Sequence, residues 1–178
     1  LVGSEMCIRD SCDTDQIIPA RFLRKDRRDP EMASFLWHDL RKDPDFIFNT
    51  APYSNGKVVV ADINWGCGSS REGAVYALNA NGIRAVIAPS FGDIHYNNCL
   101  KWGVLPVRLS RDDCDVLRRQ LHDGPGAEIT FDLESQSVTG PDGVATVPER
   151  MQRCSSLRLG RRWRVQGPRG KRDRSATP

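Results

Sequence analysis

The chain has 178 residues, of which 39% are hydrophobic, so it can bury one sizeable core and leaves little room for a second domain. It has no run of 18 apolar residues, and residues 1–15 lack the basic start and apolar stretch of a secretory signal. These features argue against a membrane-spanning or secreted protein and predict a cytoplasmic one.

The formal net charge of +3 is unevenly distributed along the chain. Residues 149–178 carry 10 Lys and Arg against 2 Asp and Glu, which leaves 16 basic and 21 acidic side chains for residues 1–148. An RNA-binding role would therefore depend on the basic tail alone, and for the acidic body we expect no nucleic-acid partner.

Six cysteines are scattered through the sequence without any C-x-x-C pair: Cys7, Cys12, Cys67, Cys99, Cys114 and Cys154. This spacing argues against a zinc ribbon, a redox dithiol and a self-contained iron–sulfur cluster. We expect reduced, partly buried cysteines and no metal bound by this chain.

The two ends of the chain differ from its middle. Residues 1–11 have no periodicity and are expected to be non-native or disordered, and residues 154–178 are expected to form a basic tail that is disordered or frame-shifted. In the segment 26–49, Phe35, Leu36, Trp37 and Leu40 recur at helical spacing before Pro44, which predicts one short helix.

The central segment predicts a strand–loop–helix–strand unit. "KVVVADIN" and "IRAVIAPS" are apolar runs of strand length without alternation, which is typical of a parallel sheet buried on both faces. Between them, "SREGAVYALNANG" begins with a helix-starting serine and ends at Asn81-Gly82, a pair suited to a left-handed cap.

The following segment continues the β/α pattern. "FGDIHYNNCLKWG" predicts a short helix, "VLPVRL" a strand, and "SRDDCDVLRRQLHDG" a helix capped by Ser110. "AEITFDLESQSVTGPDGVATV" alternates as strands do, with a turn between Gly140 and Gly143. The predicted fold is a single α/β domain with a βαβ core and an added antiparallel hairpin.

The residues Gly66-Cys67-Gly68-Ser69-Ser70, which we call the glycine loop, connect the first strand to the helix. Backbone N–H groups at a helix start, with the positive end of its dipole, favour an anion there. Arg71 supplies a planar fork that suits a carboxylate, and Glu72 is a possible partner for it. Cys67 is a weaker candidate as a nucleophile of lowered pKa, and Ser69 and Ser70 could instead only cap the helix.

The glycine loop does not fit three common motifs. It has no Gly-Lys-Ser/Thr of a phosphate loop, no third glycine of a dinucleotide fingerprint and no G-x-S-x-G of a hydrolase elbow. The stretches "DTDQIIPARFL", "PDFIFN", "NWGCGSSRE" and "AVIAPSFGDIHYNNCLKWGVLPV" do resemble the bacterial small subunit of 3-isopropylmalate dehydratase, a relative of the mobile swivelling domain of aconitase. The resemblance implies an aconitase-like swivel domain over residues 12–153.

The same resemblance implies a hydro-lyase subunit of leucine biosynthesis, active only as a heterodimer with a large subunit that holds a [4Fe-4S] cluster and acting on a malate-type diacid. It implies that Ser69 is the proton-transferring base, that Ser70 contacts substrate and that Arg71 binds a substrate carboxylate. Thr14 and Asp15 are implied as further substrate-binding residues, although an ordinary turn explains them equally well. His95 is expected to be a packed or surface side chain without a catalytic role.

Two alternatives remain open from the sequence. The chain could be the small subunit of a related hydro-lyase that acts on homoaconitate, citraconate or dimethylmalate, or an RNA-binding module that uses its tail. It also departs from the family pattern, with Gly73 where histidine is usual, Trp65 where phenylalanine is usual, and no familiar segment after about Arg153.

Overall fold

A three-stranded parallel sheet forms the centre of the computed structural model, which describes residues 12–69, 71–149 and 151 and the backbone of 162–165. Its strands are β1 (Val58–Val60), β2 (Ala85–Ala88) and β3 (Leu105–Arg108), hydrogen-bonded in that order. Helix α2 (Glu72–Ala80) connects β1 to β2, and α3 (Asp93–Trp102) connects β2 to β3. The βαβ prediction is confirmed, and β1 and β2 are buried along their whole length as their apolar runs indicate.

An antiparallel sheet follows α4 (Arg111–Asp123). It contains β4 (Ile129–Asp132), β5 (Ser137–Thr139), β6 (Ala145–Thr146) and β7 (Arg162–Val165) in the order β6-β5-β4-β7. The predicted hairpin is confirmed. Within the predicted tail, residues 162–165 form β7 because the backbone of β4 offers an edge with which this strand pairs, and the disordered or frame-shifted character of the tail as a whole stays a prediction. The rest of the predicted tail, and the predicted N-terminal segment 1–11, lie outside the described residues.

The segment before β1 contains the short helix α1 (Thr14–Ile17) and a series of 3-10 turns, and the helix predicted within 26–49 is wrong. Only the turns Met32–Phe35, Leu40–Lys42 and Ile47–Asn49 form there. Trp37 interrupts the segment with a φ of 52°, which a right-handed helix does not allow. Its backbone N–H donates to the carbonyl of Ile17 at 2.8 Å, and the centroids of its ring and the Phe48 ring lie 4.0 Å apart. Tertiary packing therefore overrides the helical spacing.

The helix ends follow the sequence signals with one exception. Gly82 has a φ of 79° after α2, and the Ser110 hydroxyl accepts from the amide of Asp113 at the start of α4, as predicted. The N-cap of α2 is Arg71 rather than a serine, and its side chain makes no capping hydrogen bond. The predicted helix start was therefore displaced toward the N-terminus, and Arg71 is a flanking residue rather than part of the first turn.

The parallel sheet separates two hydrophobic clusters. Val59 and Val86 face the cluster that contains α2 and the segment before β1, while Val58, Val60 and Ile87 face the cluster that contains α4 and the hairpin. The result is a mixed α/β fold, as predicted. Among the described residues, no helix combines the length and apolar character needed to cross a bilayer.

Candidate functional site

The glycine loop follows β1 after residues 61–65, and this stretch is held between two other segments. The amide of Gly66 donates to the carbonyl of Cys12 at 2.7 Å, and the amide of Thr14 donates to the carbonyl of Cys67 at 3.2 Å. On the other side, the amide of Trp65 donates to the carbonyl of Ser90 at 3.0 Å. Because both neighbours bind it through backbone atoms, the loop has a defined position beside the start of α2.

Gly66 and Gly92 allow the loop to pack closely against α3. Gly66 has a φ of 70°, and a Cβ built on it would lie 2.3 Å from Cγ of His95. A Cβ on Gly92, the residue before α3, would lie 2.5 Å from the carbonyl oxygen of Gly66. Neither position has room for a side chain, which explains why glycine stands at both.

The rim of the loop is open to solvent. Ser69 and Arg71 are both exposed, and they flank Ser70, which lies outside the described residues. Gly68, with a φ of 83°, turns the chain so that Ser69 follows it outward. The residues assigned to proton transfer and to carboxylate binding therefore share one exposed edge at the N-terminus of α2.

The structure brings Thr14 to this edge, but in a supporting position. Its side chain is buried, and its hydroxyl donates to the carbonyl of Ser69 at 3.3 Å. Asp13 caps α1 by accepting from the amide of Gln16 at 2.8 Å, which is the ordinary turn role considered for this cluster. Asp15 is exposed. Direct contact of Thr14 or Asp15 with a substrate stays a prediction.

Glu72 does not pair with Arg71, contrary to the suggestion from the sequence. Its carboxylate accepts from Nζ of Lys101 at 2.6 Å and from the hydroxyl of Tyr76 at 2.7 Å. Lys101, followed by Tyr76, lowers the pKa of Glu72 to about 2, so the carboxylate is ionised at neutral pH. The guanidinium of Arg71 makes no hydrogen bond or ion pair with any described side chain. Lys101 is 29 residues away in sequence, so no local pattern could have indicated this pair.

Cys67 does not have the electrostatics of a nucleophile. Burial, followed by the charge of Asp13, raises its pKa, whereas the nucleophile hypothesis required a lowered one. The helix dipole that was expected to help acts one turn further along, at Arg71 and Glu72. The four described cysteines are all free thiols: Cys12, Cys67, Cys99 and Cys114.

His95 is fully buried under the loop, which confirms it as a packed residue. Within the described part of the chain, neither ring nitrogen has a hydrogen-bond partner, and burial lowers the pKa of the imidazole to about 4. Its ring meets that of Trp65 edge-on, with centroids 6.4 Å apart. His95 thus acts as a neutral support for the backbone of Gly66, a role that sequence reasoning did not assign.

The side chains of the described residues do not form a metal centre. These contain no group of three or more His, Cys, Asp and Glu placed to hold a metal ion. An iron–sulfur cluster therefore does not fit this part of the chain.

Family models match most of the chain. One described as the aconitase C-terminal domain covers residues 9–112, and one described as LeuD_N covers residues 115–148. Both glycine-loop glycines, Ser69 and Arg71 fall within the first match.

Curated relatives and a solved structure agree with these matches. The chain is 47% identical over 137 residues to the 3-isopropylmalate dehydratase small subunit of Rhodopseudomonas palustris strain HaA2, covering 74% of this chain and 68% of the relative. It is 46% identical, with the same coverage, to the small subunit of Roseobacter denitrificans. The crystal structure of 3-isopropylmalate dehydratase from Methanocaldococcus jannaschii matches with a TM-score of 0.60 and 33% identity, covering 81% of this chain and 77% of that one.

Proposed function

Because the chain belongs to the family of 3-isopropylmalate dehydratase small subunits, we propose that it is the small subunit of an isopropylmalate isomerase in cytoplasmic leucine biosynthesis. This enzyme would interconvert 2-isopropylmalate and 3-isopropylmalate by removing and returning water, and it would act only with a large subunit. The main structural support is the exposed edge that presents Ser69 and Arg71 at the N-terminus of α2.

Ser69 would remove and return the proton on the carbon next to a substrate carboxylate. A serine hydroxyl is a poor base in water, so its alkoxide needs stabilisation. The nine-residue helix α2 supplies a positive dipole end and first-turn amides without intrahelical partners, and Arg71 adds a positive charge. Closure against a partner would exclude water and strengthen these interactions.

Arg71 would hold a carboxylate of the diacid through two parallel hydrogen bonds. Its exposed guanidinium and the occupation of Glu72 by Lys101 and Tyr76 support this role. Ser70 would contact the same substrate, with Thr14 and Asp15 near the edge. The Thr14 hydroxyl, which donates to the carbonyl of Ser69, would also help to orient the glycine loop.

The [4Fe-4S] cluster of the reaction would belong to the large subunit and supply Lewis-acid chemistry for the departing hydroxyl. The exposed edge of this chain would face that subunit, so that the diacid lies between the two proteins. We expect the isolated chain to have no dehydratase activity.

Reconstitution with a large subunit tests the assignment of Ser69. We expect Ser69→Ala to lower kcat by roughly 10²- to 10⁴-fold with little change in KM, because it removes a proton-transferring group and leaves carboxylate binding intact. Ser54→Ala, at another exposed serine, is the matched control and should turn over normally. Unchanged turnover in Ser69→Ala would remove Ser69 from the mechanism.

Growth experiments separate isopropylmalate from the related diacids. Co-expression with a large subunit should rescue a leucine auxotroph that lacks its own isomerase. Failure to rescue, together with turnover of homoaconitate, citraconate or dimethylmalate by the purified complex, would assign the chain to one of those hydro-lyases instead.

A further inference from the structure

We propose that Lys101 is a positioning residue for substrate binding: it neutralises Glu72 and so keeps the N-terminus of α2, with Arg71, attractive to a dicarboxylate. This inference rests on the proposed function and extends it to a residue on another helix.

Glu72 places a negative charge at the start of α2. It is the first residue of α2 and directly follows Arg71, so an ionised carboxylate stands beside the site proposed for a dianion. A negative charge at a helix start stabilises the helix, but it also opposes a second anion at the same end. The site therefore contains an unfavourable charge unless that charge is compensated.

Lys101 compensates the negative charge of Glu72. Its ammonium lies 2.6 Å from one carboxylate oxygen of Glu72, while the Tyr76 hydroxyl lies 2.7 Å from the other. One oxygen thus accepts from Lys101 of α3 and the other from Tyr76, one turn further along α2 itself. This arrangement removes Glu72 as a competitor for the guanidinium of Arg71.

Lys101 also contacts an aromatic ring beside it on α3. Its ammonium also lies 5.0 Å from the centroid of the Trp102 ring, which meets the Tyr76 ring edge-on at 5.1 Å. The other end of α3 begins at Gly92, packed on the carbonyl of Gly66. Helix α3 therefore contacts the site at both ends, at the glycine loop and at Glu72.

The test compares three variants in the reconstituted complex. Lys101→Met should raise KM for 2-isopropylmalate by roughly 3- to 10-fold with kcat little changed. The reason is that the negative charge of Glu72 is then no longer neutralised beside the bound dicarboxylate, in a partly exposed site. Lys101→Arg should stay near the wild-type KM. The double variant Lys101→Met with Glu72→Gln should recover most of the lost affinity, because no carboxylate is left to be neutralised.

The control is Lys42→Met, which removes the same charge from an ion pair with Asp39 at 2.8 Å on another element. It should leave KM unchanged. A simple loss of α2–α3 packing would instead make the double variant as poor as, or worse than, the single one, and this result would overturn the inference.

A second measurement separates this inference from the proposed function. Malate, as a dicarboxylate probe, is titrated into the full-length chain while the amide signals of Gly68 and Arg71 are followed by NMR. Lys101→Met should weaken the apparent affinity by the same 3- to 10-fold, and the double variant should recover it. If the wild-type complex does not convert isopropylmalate but this pattern holds, only the proposed function fails. An equal malate response in all variants, or none in the wild type, would overturn the inference.

Discussion

At the scale of single residues, the tight packing of the glycine loop against α3 limits which side chains fit in the loop. Gly66 has a positive φ, and a Cβ on it would overlap the ring of His95. His95 itself is buried, with both ring nitrogens unpaired in the described part of the chain. The two residues therefore constrain each other: the imidazole fills space that a Cβ would need.

Gly66→Ala should lower the free energy of unfolding by roughly 2–5 kcal/mol, from the left-handed backbone and the overlap with His95. Gly143→Ala is the matched control, because Gly143 has a φ of 80° with nothing within 4 Å of its added Cβ. It should lose only about 1–2 kcal/mol. Chemical denaturation of both variants gives the comparison, and equal losses would show that the His95 contact is not limiting.

Acid should destabilise the protein through His95. Its folded-state pKa is about 4 against an ordinary value of 6.5, so the unfolded chain binds more protons between these values. The contribution of neutral His95 to the free energy of unfolding is fully present above pH 6.5. It falls by about 3 kcal/mol as the pH drops from 6.5 to 4. His95→Phe should remove this part of the slope in denaturation curves measured from pH 7 to 4. Parallel slopes in the two proteins would contradict the assignment.

At the scale of elements, helix ends determine how the site is presented. α4 begins at a serine whose hydroxyl accepts from the Asp113 amide at 3.1 Å and donates to the Asp113 carboxylate at 2.6 Å. The N-cap of α2 is Arg71, whose side chain makes no such hydrogen bond. Among the described side chains, α4 has a cap and α2 has none, which agrees with the anion site proposed at the N-terminus of α2.

Ser110→Ala should therefore lower the free energy of unfolding by about 1 kcal/mol without changing activity, since it removes the cap of α4. Ser110→Gly should lower it by only a few tenths of a kcal/mol, because glycine is tolerated as an N-cap. Thermal denaturation and assays of the reconstituted complex check both points. A loss of activity in Ser110→Ala that exceeds its loss of stability would connect α4 to the site.

At the scale of the whole molecule, the parallel sheet joins two cores and the antiparallel sheet extends the second of them. β4 is the central strand of that second sheet, because β5 pairs with one of its edges and β7 with the other. β7 comes from a segment in which the sequence predicted no structure. An unpaired β4 edge would be open to another chain.

A chain that ends at residue 161 should thus be less stable and should self-associate, whereas a chain that ends at 166 keeps β7 and should remain like the full-length protein. Size-exclusion chromatography over a range of concentrations, with thermal denaturation, distinguishes the two. Identical behaviour of both truncated chains would mean that β7 does not protect the edge.

The sequence by itself determined the βαβ core, the hairpin, the cap at Ser110 and the position of the glycine loop. These features depend on apolar runs, alternation and turn residues that are local in the chain. The roles of Ser69 and Arg71 came from the family resemblance of the stretch that contains them, and these roles stay predictions.

Only the tertiary structure decided where distant segments meet. It replaced the predicted helix at Trp37 with turns, paired Glu72 with Lys101, placed His95 under Gly66 and raised the pKa of Cys67. Each of these outcomes depends on burial or on a partner that folding brings from far along the chain. Local propensities are weak compared with such contacts, so no pattern within a short window could have indicated them.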